Sequence, residues 1–247
     1  MKILRNTLIA ITLVIAACES SSLDYSADMS PESGTGGSLA RFTISGNYLY
    51  TVDATTLKTF DITNESKPQL IGEQELNWGV ETIFALDDLL FLGTRTGIYI
   101  YDISSPSTPE YVSLYSHIQS CDPVVVKGNY AYSTLNSSGS CSQGVDQLDV
   151  IDISNPYDLQ WVNTISMNSP KGLGISGSLL FVCDGGLKVY DLSNPINPSF
   201  IHRIDIDATD VIPIDTLLLV ATNQGLSEYS IDDENQIHFV SSLYTQK

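Results

Sequence analysis

Counting five or six residues back from each of five tight turns reaches a charged side chain every time: Arg41, Glu81, Asp122, Lys171 and Asp210. Brought to one axis, these two cations and three carboxylates would form a ring of mixed sign. Such a ring suits a small polar ligand, an ion or a loop of a partner protein. Trp78 precedes Glu81 by three residues and adds an aromatic surface beside it. Glu81 and Asp122 are also the residues that could act as acid or base. The same ring has a purely structural reading, in which opposite charges satisfy one another around a water-filled channel.

The remaining chemistry-bearing residues point elsewhere. Asp205, Asp207 and Asp210 place three carboxylates in six residues, as a calcium loop does, but the glycine and terminal glutamate of such a loop are missing. His117, His202 and His238 fall in or beside outer strands of three different repeats, which is no arrangement for a metal triad. Gly172-Leu-Gly174-Ile-Ser-Gly177 spells a dinucleotide fingerprint, yet Leu-Leu-Phe-Val follows it, a strand where the pyrophosphate needs a helix N-terminus. There is no nucleophile elbow, zinc-protease helix or phosphate loop, and no cofactor is implied.

The elements that position these residues repeat. Five turns, at Gly46-Asn47, Asp87-Asp88, Gly128-Asn129, Gly177-Ser178 and Asp215-Thr216, are spaced by 41, 41, 49 and 38 residues. Each lies between two apolar runs, the hairpin signal of residues that tolerate positive φ. The second run, such as Tyr48 to Val52 or Leu179 to Val182, is apolar at nearly every position, which predicts burial on both faces. A third strand ends in a tag: Phe60-Asp-Ile-Thr, Tyr101-Asp-Ile-Ser, Ile151-Asp-Ile-Ser, Tyr190-Asp-Leu-Ser and the degraded Tyr229-Ser-Ile-Asp. Pro106, Pro156 and Pro195 stop the strand, and the tag Asp, Ser and Asn side chains cap the turn, so these aspartates are scaffold. A fourth strand closes each unit, for example Gln69 to Glu73 and His238 to Leu243. Units of about 40 residues with four strands predict an all-β, five-bladed propeller of four-stranded antiparallel blades over residues 38–247. Both chain ends fall between blades, so closure depends on side-chain packing between blades one and five.

The first 37 residues stand outside this array. Lys2 and Arg5 precede an apolar core, Leu8 to Ala17, with the layout of a secretory signal over residues 1–17. Ile15-Ala16-Ala17-Cys18 resembles the lipobox of bacterial lipoproteins, which implies cleavage before Cys18 and acylation of it as the membrane anchor. Residues 18–37, rich in Ser, Gly and acidic side chains, read as a flexible tether. The formal charge of −18 excludes nucleic acid as a partner and leaves the lipid, not the domain surface, to hold the membrane.

Three cysteines remain. Export passes them through an oxidising space, where Cys121 can pair with Cys141. Cys141 sits in the one insertion of the array, Asn136 to Asp146. The bond would close a loop of about 20 residues, worth roughly 3 kcal/mol, and pin it over the propeller face. Cys183 lies in an apolar strand and reads as a packed free thiol.

Tyr101-Asp-Ile-Ser-Ser-Pro, Ile151-Asp-Ile-Ser-Asn-Pro and Tyr190-Asp-Leu-Ser-Asn-Pro resemble the LVIVD repeat. Trp78-Gly-Val-Glu-Thr-Ile-Phe, Cys121-Asp-Pro-Val-Val-Val, Gln147-Leu-Asp-Val-Ile-Asp-Ile-Ser and Gly172-Leu-Gly-Ile are similar to LVIVD-repeat lipoproteins of Bacteroidetes-type bacteria. The resemblance implies a surface location rather than a defined reaction. It leads to expect Asn-Pro-His-Gly-Leu-Gly where this chain has Ser169-Pro-Lys-Gly-Leu-Gly, which puts a histidine-dependent site there in doubt. The resulting expectation is a non-enzymatic binding module, lipid-anchored at the outer membrane or cell surface, with an unknown protein or small polar ligand at one propeller face. The alternatives are an enzyme with acid–base carboxylates in the funnel and a structural envelope protein without a discrete ligand.

Overall fold

A computed structural model describes residues 39–53, 55–76, 79–94, 96–116, 123–137 and 144–245. They form five separate four-stranded antiparallel sheets in simple up-and-down order, the five blades of a β-propeller. Blade 1 comprises β1 (Phe42–Ser45), β2 (Tyr48–Asp53), β3 (Thr56–Asp61) and β4 (Gln69–Glu75). Blade 2 comprises β5 (Val80–Leu86), β6 (Leu89–Thr94), β7 (Gly97–Asp102) and β8 (Glu110–Ser116). Blade 3 holds β9 (Val124–Lys127), β10 (Tyr130–Leu135), β11 (Gln147–Asp152) and β12 (Gln160–Ser166). Blade 4 holds β13 (Leu173–Ser176), β14 (Leu179–Cys183), β15 (Leu187–Asp191) and β16 (Ser199–Ile204). Blade 5 holds β17 (Ala208–Ile214), β18 (Leu217–Thr222), β19 (Gly225–Ile231) and β20 (Ile237–Tyr244). Strand ends agree with the sequence expectation to within two residues.

One set of local interactions builds every blade. The first turn residue is left-handed in all five, with φ of 55°, 54° and 52° at Gly46, Gly128 and Gly177 and 49° and 51° at Asp87 and Asp215. Aspartate tolerates that conformation better than most side chains. The residue after the tag aspartate then donates its N–H back to the second turn residue: Ile62 to Asn47, Ile103 to Asp88, Ile153 to Asn129, Leu192 to Ser178, and in blade 5 Ile231 to Thr216. Tag carboxylates cap the following turn, Asp61 accepting from Thr63 N–H at 2.8 Å and Asp102 from Ser104 N–H at 2.7 Å, as Asp152 and Asp191 do at 2.8 and 2.9 Å. A register shift between the third and fourth strands recurs at the tag in every blade, between Thr59/Phe60, Ile100/Tyr101, Val150/Ile151, Val189/Tyr190 and Glu228/Tyr229. Such bulges increase the twist of a sheet.

Each blade after the first packs a front face against the back face of the blade before it. Blade 1 meets blade 2 through Tyr50, Val52 and Leu57 against Ile83, Leu90, Leu92 and Tyr101. Blades 2, 3 and 4 share one continuous core. Blade 5 offers Val211, Leu218 and Val220 to Phe181, Cys183 and Val189 of blade 4. Backbone bonds stitch inner strands across two joints, Ile83 N–H to Ala40 O and Gly172 N–H to Thr209 O. The fingerprint-like glycines serve the second of these: a Cβ on Gly174 would lie 2.6 Å from the Pro213 ring, and one on Gly172 would collide with Asp210.

The expectation of second strands buried on both faces holds for β6, β10 and β14 and fails at the two ends. In β18, Leu218 and Val220 are buried while Leu217, Leu219 and Ala221 are not; in β2 only Tyr50 and Val52 are buried. The front of blade 1 and the back of blade 5 lack a covering sheet among the described residues, so their alternate side chains remain in contact with solvent.

Candidate functional site

Inner strands start at one face of the array, where the links between blades and the connections from second to third strands also lie. Arg41 is exposed just before β1, Glu81 half-buried on β5, Lys171 half-buried just before β13 and Asp210 half-buried on β17. Trp78, Asp122, Cys121, Cys141, Cys18 and His117 lie outside the described residues. Lys171 and Asp210 come from the adjoining inner-strand starts of blades 4 and 5. Asp210 stands against Gly172 and accepts the Val211 N–H at 2.9 Å. The Lys171 backbone is clamped from both sides, its N–H donating to Cys183 O at 2.8 Å and its carbonyl accepting the Thr134 hydroxyl at 2.6 Å.

Cys183, fully buried beneath this pair, is a free thiol. Burial pushes its pKa well up, the Asp210 charge adds to the rise, and Lys171 opposes it. The thiol stays protonated and is no nucleophile. The three carboxylates once suggestive of calcium are dispersed: Asp205 pairs with Arg203 at 3.6 Å, Asp207 accepts from Asn223 at 2.9 Å, and Asp210 faces blade 4.

A site that the inner-strand alignment misses lies between blades 2 and 3. A cleft of about 470 Å³ opens at the ends of β8 and β10, lined by Tyr115 from blade 2 and by Leu135, Gln147, Asp149, Trp161 and Thr164 from blade 3. Its polar groups form a chain. The Trp161 indole N–H donates to Thr164 Oγ1 at 2.8 Å, and the Thr164 hydroxyl donates to Asp149 Oδ1 at 2.5 Å. Gln147 Nε2 donates to the same oxygen at 2.7 Å. Asp149 is 3% exposed whereas Trp161 is 58% exposed, so a buried carboxylate is linked through Thr164 to a solvent-facing indole. An aromatic face thus stands beside oriented amide, hydroxyl and carboxylate groups.

The signal was present in the tags rather than in the turns. Two residues before each tag, the third strand faces a partner on the fourth: Lys58 opposite Glu73, Tyr99 opposite Leu114, Asp149 opposite Thr164, Lys188 opposite Arg203 and Ser227 opposite Ser242. In blade 1 this pair is an ion pair at 3.7 Å and in blade 5 a hydroxyl pair at 2.9 Å. Blade 3 alone places a carboxylate on the third strand there. The neighbouring Asp184 is buried for a structural reason, accepting Asn168 N–H and Ser169 N–H at 3.0 and 2.8 Å and Lys188 Nζ at 2.6 Å. Burial would raise its pKa, but these bonds and the Lys188 charge hold it below the usual carboxylate value.

Fold and joints together define a β-propeller assembled from four-stranded repeats. The LVIVD repeat matches residues 36–74, 143–164 and 170–206, covering blade 1, the outer half of blade 3 and blade 4. Compared with proteins of curated function, it has no match. Among solved structures it is similar to a functionally unknown protein from Desulfotomaculum acetoxidans, with TM-score 0.66 and 12% identity over 83% of this chain and 70% of that one. It is also similar to the periplasmic gluconolactonase PpgL of Pseudomonas aeruginosa, with TM-score 0.61 and 14% identity over 81% and 68%. A third likeness is to the computationally designed protein Ika8, with TM-score 0.58 and 14% identity over 83% of this chain and 61%, less than two thirds, of that one. At these identities the likenesses establish the fold alone.

Proposed function

We propose that this chain is an exported, lipid-anchored propeller that acts as a non-enzymatic binding module, and that its ligand seats in the cleft between blades 2 and 3. The observation that carries the reading is the Trp161–Thr164–Asp149 chain, which fixes an exposed indole at the cleft mouth. A rigid aromatic with little entropy left to lose makes a favourable contact surface. Lys171 and Asp210, at the inner-strand starts of blades 4 and 5, extend the charged surface available to a larger partner. Cys18 supplies the membrane attachment and residues 18–37 the tether.

The cleft is tested with Trp161 as its own reporter. In a Trp78→Phe background, a panel of neutral sugars, amino acids and nucleotides is titrated while Trp161 emission is followed. Saturable quenching by one class, weakened about tenfold or more in Asp149→Asn with melting unchanged, is the expected result. The reading fails if no compound quenches and if Trp161→Ala also leaves every protein captured from envelope extract in place. The anchor is tested separately: Cys18→Ser should move the protein from the membrane to the soluble fraction, and retention at the membrane overturns lipidation.

A further inference from the structure

We propose, resting on the cleft between blades 2 and 3 as the binding site, that its ligand is a small organic cation, an ammonium or guanidinium head seated on the Trp161 ring beside Asp149. The hydrogen bonds of the cleft run inward. The Trp161 indole N–H is spent on Thr164 Oγ1, and the Thr164 hydroxyl and one Gln147 amide N–H are both spent on Asp149 Oδ1. An ionised carboxylate only accepts, so Gln147 turns its nitrogen to Asp149 and keeps its carbonyl oxygen for other contacts. What Trp161 and Gln147 retain for a ligand is a ring face, an amide oxygen and one amide N–H.

Comparison of the blades shows why that ring face is open. In blades 2 to 5 the fourth strand sets an aromatic residue opposite the first tag residue: Tyr111 opposite Tyr101, Trp161 opposite Ile151, Phe200 opposite Tyr190 and Phe239 opposite Tyr229. In blades 2, 4 and 5 the two rings meet edge to face, with centroids 5.9, 5.7 and 5.6 Å apart. Blade 3 carries an isoleucine in its tag, so Trp161 has no tag ring to stack upon and bonds through its indole N–H to Thr164 instead. A bond in the plane of the indole leaves the ring face, where the aromatic quadrupole is negative, to another partner. In blade 4, Lys188 and Arg203 hold the places of Asp149 and Thr164, so blade 3 alone joins an unstacked ring to a carboxylate.

Charge then selects the ligand. No lysine, arginine or histidine is among the described residues that line the cleft, and the whole chain carries a formal charge of −18. An anion would meet no cation there and would be repelled at a distance. A neutral polyol would gain the ring face but nothing from the carboxylate charge. A cation gains from both: the ring attracts it within about 6 Å of the centroid, and Asp149, being buried, is screened less than a surface carboxylate.

The test follows Trp161 emission in the full-length Trp78→Phe chain while choline, putrescine and agmatine are titrated at constant ionic strength. Beside choline runs its neutral isostere, in which carbon replaces the charged nitrogen. A saturable change with at least one cation is expected, and choline should bind about tenfold or more tightly than the isostere, as a cation–π contact beside a carboxylate would give. Asp149→Asn should weaken the cation about fivefold or more and leave the isostere unchanged. The choline and isostere comparison is made on an unaltered cleft, so it decides the matter even where Asp149→Asn fails to fold. Equal affinity for choline and the isostere, or no response to any of the three cations, overturns the proposal. A saturable response to a neutral sugar with none to the cations overturns it while leaving the cleft as the binding site. Silence toward every compound, with capture from envelope extract unchanged in Trp161→Ala, overturns both.

Discussion

Blades 2 to 4 and the two end blades are made of the same strands but do not share the same interior. Leu89-Leu-Phe-Leu of β6 and Leu217-Leu-Leu-Val of β18 are equally apolar, yet residues 90–94 of β6 are all buried while β18 alternates. Burial here is a property of how many neighbours a blade has, as in other stacked repeats, rather than of its own pattern. The lesson extends to the polar groups. In the inner blades, buried hydroxyls and amides find partners across a joint, as Tyr132 OH does on Pro195 O at 3.0 Å and Thr134 Oγ1 on Lys171 O. In blade 5 the corresponding surface carries Glu228 and Ser241, which satisfy one another while facing solvent.

The sharpest way to break this comparison is to truncate one equivalent position in both settings. Phe181→Ala in blade 4 removes a fully buried ring from the joint with blade 5 and should cost about 3–5 kcal/mol of stability. Leu219→Ala, at the same repeat position in blade 5, empties a half-exposed site and should cost about 1 kcal/mol. Urea denaturation midpoints of the two variants decide the matter. Equal losses would show that the back of blade 5 is covered, and the distinction between inner and end blades would collapse.

Most of the scaffold was legible because its signals are local. Turn residues with positive φ, tag aspartates that cap, and apolar strands each act within a few residues, and five repetitions make them unmistakable. The scaffold role of the tag aspartates follows from the same locality: Asp102 and Asp152 are drawn below the usual carboxylate range chiefly by hydrogen bonds from Ser104 and Ser154. What was not legible depends on contacts between blades. The end faces look like core in the sequence, because only the array decides which sheet has a neighbour. The cleft was missed for a related reason. Asp149 and Thr164 are 15 residues apart and meet only through the β11–β12 register, whereas alignment on the first turn directs attention to the inner strand. Aligning the tags instead would have isolated Asp149 among Lys58, Tyr99, Lys188 and Ser227.

A smaller and pH-dependent contrast separates blade 4 from blade 5 at the connection between second and third strands. Blade 5 closes it with neutral groups, Thr222 Oγ1 donating to Gly225 O at 3.2 Å and accepting the Gln224 N–H. Blade 4 has Asp184 at the same repeat position, its carboxylate fully buried and tied to Lys188 and to the link from blade 3. Because its folded pKa is lowered, Asp184 binds its proton less readily in the native state than in the unfolded chain. Its contribution is therefore complete at neutral pH, begins to fade as pH falls to the unfolded carboxylate value of about 3.9, and is lost through the lower folded value. Asp184→Asn keeps an acceptor but breaks the ion pair, and should cost about 1–3 kcal/mol at pH 7, less than Phe181→Ala. The difference between wild type and variant, followed by urea midpoints from pH 7 to pH 2, should shrink as the solution is acidified. Thr222→Val, which removes the neutral closure of blade 5, should show a loss that does not change over that range. A difference for Asp184→Asn that stayed constant with pH would mean that the carboxylate contributes shape and hydrogen bonds only, and that its charge adds nothing to the inner blades.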